Sequence, residues 1–148
     1  MHSPPDNAVL LADDDATTRQ LGRRIVEGIG LRAIIASDGY DALRMFHRHR
    51  MSIALLLLDV RMPKLGGPDL LKALRRIDPQ VPALLTSSAD ASVIEPLASK
   101  KAYTAFIPKP WRLDRVEREL RLGLAQRPSL AARRHIGRTR LRAAGADV

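Results

Sequence analysis

Residues 53–59 read Ile-Ala-Leu-Leu-Leu-Leu-Asp (IALLLLD). The apolar run is continuous rather than alternating, which is the pattern of a strand covered on both faces. It stops at a carboxylate. Strands covered on both faces are usually parallel ones joined by helices, so the flanking sequence should supply helices. Upstream, residues 38–50 predict a helix with Ala42, Leu43 and Phe46 on one face. Residues 32–36 (RAIIA) predict a strand before it. Residues 17–28 predict a helix with Leu21, Ile25 and Ile29 at helical spacing and Gly28 and Gly30 as stop signals. Residues 9–12 (VLLA) predict the first strand. Downstream, Gly67-Pro68 opens a helix over 68–77 that Asp78-Pro79 ends. Residues 83–85 predict a fourth strand. Ser92-Val93-Ile94-Glu95 has the form of a capping box, with Pro96 set to distort the first turn of a short fourth helix. Residues 104–107 predict a fifth strand, and Leu113, Val116, Leu120 and Leu124 stripe a last helix.

Five strands and five helices thus alternate strictly. Such alternation implies parallel strands joined by right-handed helical crossovers. The expected architecture is α/β, a doubly wound five-stranded parallel sheet with helices on both faces. It is flavodoxin-like, with strand order 2-1-3-4-5. In sheets of this kind ligands bind beyond the carboxyl ends of the strands, which says where chemistry should lie.

Composition narrows the classes further. The chain has 148 residues and no cysteine, which excludes disulfides, thiolate metal sites and a cysteine nucleophile. The longest apolar run is residues 53–58, far short of the roughly 20 residues that span a bilayer. The start, MHSPPDNA, lacks a basic end followed by an apolar stretch, so no signal peptide is expected. A cytoplasmic location and no membrane partner follow as expectations. The net charge of +9 is uneven: residues 127–148 hold Arg127, Arg133, Arg134, Arg138, Arg140 and Arg142 against Asp147. The organisation expected is a domain over 6–126 and, over 127–148, a basic C-terminal tail or an extension of the last helix, too short for an output domain.

The strand ends carry the chemistry. The first ends in Asp13-Asp14-Asp15, the third in Asp59, the fourth in Thr86-Ser87-Ser88, and the fifth runs into Lys109-Pro110. Carboxylates crowded into one crevice repel one another and either shift pKa upward or recruit a cation. Carboxylate oxygens plus waters suit Mg²⁺. Lys109 offers one compact positive charge to a carboxylate or a phosphoryl oxygen. Thr86 offers a hydroxyl to an incoming anionic oxygen. Together they describe a phosphoryl-accepting site in which Asp59 is the nucleophile and an acyl phosphate the product.

The chain resembles the receiver domain of bacterial response regulators (the CheY-like domain of two-component systems) over residues 6–126. The resemblance rests on VLLADDDATTRQL, LLLLDVRMPKLGGPDLL, ALLTSS and AFIPKPW, in that order. It implies that Asp13 and Asp14 organise Mg²⁺ with Asp59 and the backbone carbonyl of Arg61. It implies that Asp59 is the phosphorylated residue, that Thr86 is the switch hydroxyl, and that Lys109 is the family's lysine. Phe106 matches the aromatic that moves with Thr86. Lys109-Pro110 matches a bond that is often cis. A histidine kinase or phosphotransfer protein is the implied donor. A target protein, or a second copy of the chain, would bind through the fourth helix, fifth strand and fifth helix. The function expected is a stand-alone phosphorylation-controlled interaction module, not an enzyme beyond its own phosphorylation and dephosphorylation. The sequence also departs from the family pattern. Ser87 stands for a usual Ala, Gly66 for an Asp or Asn, Arg112 for an N-capping Asp, and Phe106 for a frequent Tyr.

Other readings stand beside this one. The acidic triplet could serve only as a helix N-cap. Asp13-Asp14-Asp15-Ala16-Thr17 also fits the D-x-D-x-T string of haloacid-dehalogenase-like phosphatases, in which Asp13 would be the nucleophile. No adjacent acidic pair at a strand end follows Lys109, as that family requires. His2, His47, His49 and His135 form no metal constellation, and 47–50 reads as an exposed helix end. The tail's arginines could meet nucleic acid or an acidic partner. No aromatic interleaves them, so a dedicated nucleic-acid site is not expected. Trp111, two residues from Lys109, reads as an edge aromatic whose fluorescence could report on the site.

Overall fold

A computed structural model of the chain describes residues 7–89 and 102–127. The elements, in order, are β1 (Ala8–Ala12), α1 (Ala16–Gly28), β2 (Arg32–Ala36), α2 (Gly39–His49), β3 (Ile53–Asp59), α3 (Gly67–Ile77), β4 (Ala83–Ser87), β5 (Thr104–Pro108) and α4 (Leu113–Ala125). The expected fourth helix near 92–96 and the tail beyond 127 lie outside the described residues, so α4 is the helix predicted as the fifth. The strands form one sheet in the order β2-β1-β3-β4-β5, and every neighbouring pair is parallel.

The apolar run decides this topology physically. All seven residues of β3 are buried, and the strand lies between β1 and β4. Successive side chains of a strand point to opposite faces, and the core divides accordingly. Val9, Leu11, Leu55, Leu57, Leu84 and Ile107 pack with Ile25 and Val26 of α1 and Val116 and Leu120 of α4. Ala8, Leu10, Leu56, Leu58, Ala83 and Leu85 pack with Ala42 and Phe46 of α2 and Leu70, Leu71 and Leu74 of α3. The two helix pairs therefore cover opposite faces of the sheet. Among the described residues no helix is long and apolar enough to cross a membrane.

Local chemistry sets the helix starts. Asp15 caps α1, its carboxylate accepting from Thr18 N–H and Thr18 Oγ1 at 3.0 and 2.7 Å. Asp38 caps α2 through Asp41 N–H at 2.7 Å. Gly66 and Arg112 begin α3 and α4 without a side-chain cap, which for Arg112 is what its departure from the family's capping Asp implies. Two predicted stripes need correcting at their first residue: Leu21 and Leu113 are exposed. The buried positions of α1 are Gly22, Ile25 and Val26, and those of α4 are Val116, Leu120 and Gly123. Ile25, Val116 and Leu120 are buried as predicted and Ile29 and Leu124 pack against the same core, so only the leading leucine of each stripe was misplaced. Two strands also run further than predicted, so that Asp59 and Thr86 lie inside β3 and β4 rather than just past them.

Candidate functional site

Parity along the strands brings the site together. Asp13 follows Val9 and Leu11 in alternation, Asp59 follows Leu55 and Leu57, Thr86 follows Leu84, and Lys109 follows Ile107. All four share the face covered by α1 and α4, at the carboxyl edge of the sheet. Asp59 and Thr86 are direct register partners. Asp13 and Thr86 are fully buried and Asp59 is 5% exposed, so ionised and polar groups sit at the end of a dry core. Such groups destabilise the fold unless they find partners.

The partners are specific. Lys109 Nζ lies 2.9 Å from Asp13 Oδ2 and 3.6 Å from Asp59 Oδ1, so one ammonium bridges two strands' carboxylates. Asp13 Oδ1 accepts from Asp15 N–H at 2.9 Å, and the Asp13 carbonyl accepts from Arg19 Nη1 at 2.8 Å. Asp59 Oδ1 also accepts from the N–H of Arg61 at 3.4 Å. The Lys109-Pro110 bond is cis, as the resemblance implied. The acidic triplet thus divides its work. Asp15 is the helix cap, Asp13 is the buried member of the site, and the exposed Asp14 leans on its edge.

Burial and then the Asp13 charge push the Asp59 carboxyl up to about 6, against the opposing pull of Lys109 and the Arg61 N–H. Burial works against the Lys109 charge, but the Asp13 hydrogen bond and the charges of Asp13 and Asp59 outweigh it and hold the ammonium above its ordinary pKa. One carboxylate oxygen from each of Asp13, Asp14 and Asp59 lies within 4.8 Å of the others. Among the described residues, the one ammonium that reaches this cluster is that of Lys109. Three negative charges against one positive leave a deficit of two. An all-oxygen donor set with that deficit fits a small hard divalent cation, and Mg²⁺ in particular.

Thr86 and Phe106 occupy opposite faces. Thr86 Oγ1 accepts from Trp111 Nε1 at 2.7 Å, while Phe106, half-buried, packs against the α2–α3 side of the core. The sequence reading gave Trp111 no hydrogen bond. The available signal was position: an indole two residues beyond a strand-end lysine reaches the same sheet edge as the threonine one strand away. Arg19 was likewise missed, because its spacing on α1 says nothing of a backbone carbonyl six residues earlier.

A parallel 2-1-3-4-5 sheet with carboxylates, a hydroxyl and a lysine converging at its carboxyl edge defines a CheY-like α/β domain. The chain belongs to the response regulator receiver domain family, which matches residues 9–121. The D-x-D-x-T phosphatase reading of Asp13 gives way to that membership. The transcriptional regulatory protein CpxR of Escherichia coli is 37% identical over 105 residues, covering 71% of this chain and 44% of CpxR. This chain therefore spans less than half the length of that relative. A receiver domain from Clostridium thermocellum superposes with a TM-score of 0.74 at 24% identity, covering 81% of this chain and 95% of that one. The CheX–CheY–BeF₃–Mg²⁺ complex from Borrelia burgdorferi gives a TM-score of 0.71 at 27% identity, covering 77% and 86%. Receiver domains are signalling domains that bind Mg²⁺ at an acidic cluster, and here that cluster is Asp13, Asp14 and Asp59.

Proposed function

We propose that Asp59 accepts a phosphoryl group from the phosphohistidine of a histidine kinase or phosphotransfer protein, in the cytoplasm, and so switches a protein-binding surface. The observation that carries this reading is the bridge of Lys109 to Asp13 and Asp59 at 2.9 and 3.6 Å beside a third carboxylate. An Asp59 carboxylate oxygen bonds to phosphorus as the phosphorus–nitrogen bond of the donor breaks. The departing imidazole keeps the electron pair and is protonated by solvent, and an acyl phosphate remains. With its pKa near 6, Asp59 is mostly ionised at neutral pH and ready as the nucleophile. Lys109 stays protonated and stands where charge grows on the phosphoryl oxygens. Asp13, Asp14, Asp59 and the Arg61 backbone carbonyl would hold Mg²⁺, which when bound supplies positive charge against the phosphoryl oxygens.

The output is a population shift in which the phosphoryl group favours one arrangement of Thr86 and Phe106. Phe106 on β5 is half-buried and so has room to change packing, and its carbonyl accepts from Arg115 Nη2 of α4 at 3.4 Å. A target protein or a second copy of the chain would read that face. Labelling decides the reading. Incubation with acetyl phosphate and Mg²⁺ should add one phosphoryl group at Asp59, and Asp59→Asn or EDTA should abolish it. Label retained on that variant, or found on Asp13, would refute the assignment.

A further inference from the structure

Trp111 is the one tryptophan of the chain and spans two layers. Its ring packs into the α1–α4 side of the core, where a Cβ placed on Gly22 of α1 would lie 3.4 Å from ring atoms. Its indole Nε1 lies 2.7 Å from Thr86 Oγ1. The direction of this bond is fixed by chemistry, because an indole only donates. One lone pair of the Thr86 oxygen is therefore occupied, and the proton of that hydroxyl must point elsewhere. Thr86 is fully buried, and among the described residues no acceptor is hydrogen-bonded to its proton. Its register partner is Asp59. A buried hydroxyl with one lone pair occupied and its proton unspent, beside the residue that takes on an anionic group, is prepared to donate.

We propose that Trp111 is a positioning residue for phosphoryl recognition: its indole N–H holds Thr86 Oγ1 so that the hydroxyl's proton is presented to a phosphoryl group on Asp59. This rests on Asp59 being the acceptor. The bond persists in the loaded state, because the indole uses a lone pair and the phosphoryl oxygen uses the proton. Donation from the indole also polarises the hydroxyl and strengthens what it gives.

The test uses the full chain with Mg²⁺ and beryllofluoride as the phosphoryl mimic, followed by calorimetry and by the single indole N–H signal in ¹⁵N-resolved NMR. In the resting protein the indole proton should resonate downfield and exchange slowly. Thr86→Val should move it upfield and speed its exchange, whereas Thr86→Ser should keep both. Trp111→Phe keeps an aromatic ring and removes the N–H. It should weaken beryllofluoride binding by a factor of about 3–10, the range a single hydrogen bond supplies. The same change made on Thr86→Val should add nothing, which a purely structural ring would not predict. Three results overturn the proposal: an indole signal indifferent to Thr86→Val, a Trp111→Phe affinity within twofold of the parent, or tighter binding by that variant. Tighter binding would mean that the bond holds the hydroxyl away. If the parent protein itself takes neither beryllofluoride nor label at Asp59, the acceptor reading fails and this proposal with it. A failure confined to the Trp111 comparisons leaves the acceptor reading standing.

Discussion

Asp59 is a carboxylate placed where the unliganded fold does not favour its charge. Its pKa rises from 3.8 to about 6, chiefly through burial and then through Asp13. A carboxyl whose folded pKa exceeds its unfolded one costs nothing by ionisation below the unfolded value. The penalty grows as pH rises between the two and is constant above the folded value. Asp59→Asn removes that penalty. In EDTA at pH 7.5 the variant should therefore be more stable than the parent, by on the order of 2 kcal/mol. The difference should close as pH falls below about 4, where both side chains are neutral. Urea denaturation of the pair at the two pH values measures it, and an equal gap at both would show that the strain is not electrostatic. Lys109 behaves oppositely in sign. Its raised pKa means that its stabilising contribution is intact below the ordinary lysine pKa and lost as pH climbs through the folded one. Lys109→Met should lower stability at neutral pH, because Asp13 is left buried without its ammonium. Breaking a buried pair costs about 3–5 kcal/mol where no other ion can enter. Added Mg²⁺ should recover part of that loss, which a purely steric effect of methionine would not allow.

At the scale of elements, the strands were legible, and the core faces of two helices were legible except for their glycines and their leading leucines. A strand buried on both sides announces itself as an unbroken apolar run, and the residue that ends the run is then at the sheet edge by necessity. This is why Asp13, Asp59, Thr86 and Lys109 could be gathered from the sequence before any coordinates. Helices α1 and α4 present glycine to the sheet. An apolar count finds Ile25, Ile29, Val116, Leu120 and Leu124, but it passes over Gly22 against Leu11 and Gly123 against Leu55 and adds Leu21 and Leu113, which are exposed. Glycine carries no hydrophobic signal, and its role as a point of close approach exists only between elements. The same geometry yields a comparison. A Cβ on Gly67, at the start of α3, would lie 2.5 Å from the carbonyl oxygen of Asp59 and 3.0 Å from the Cα of Val60. Backbone cannot rotate away, so Gly67→Ala should cost about 1–3 kcal/mol and weaken Mg²⁺ binding by shifting Asp59. A Cβ on Gly123 would meet a Leu55 methyl at 2.7 Å. That side chain can adjust, and alanine is the better helix former by about 1 kcal/mol, so Gly123→Ala should be close to neutral and leave Mg²⁺ binding alone. Denaturation and calorimetry on both variants check the ordering. Equal costs would mean that β3 and α3 yield as readily as a leucine side chain.

The whole molecule separates two kinds of charge. The carboxylates at the sheet edge are few, buried or clustered, and tied to three strands through Lys109, so a cation held there stabilises the fold as a unit. The basic excess is spread through the chain and concentrated toward its end, where residues 128–148 carry five arginines against Asp147. Arg127, just before them, pairs with Asp78 at 3.5 Å and belongs to the packed domain. No tail residue is Phe, Tyr or Trp, so the sequence offers no stacking platform for bases and phosphate contact is the main means of holding nucleic acid. Phosphate contact releases counterions. If all five arginines engage duplex DNA, affinity should fall roughly 500-fold between 50 and 200 mM salt, without regard to sequence. Deleting residues 128–148 should therefore reduce retention on DNA at low salt and change nothing at physiological salt, where the full chain should no longer be retained. The same deletion should leave the Mg²⁺-induced rise in melting temperature intact, because that rise originates in Asp13, Asp14 and Asp59. Sequence-selective retention that survives physiological salt and disappears with the deletion would instead make the tail a recognition element, and the phosphorylation surface would then be only one of two outputs.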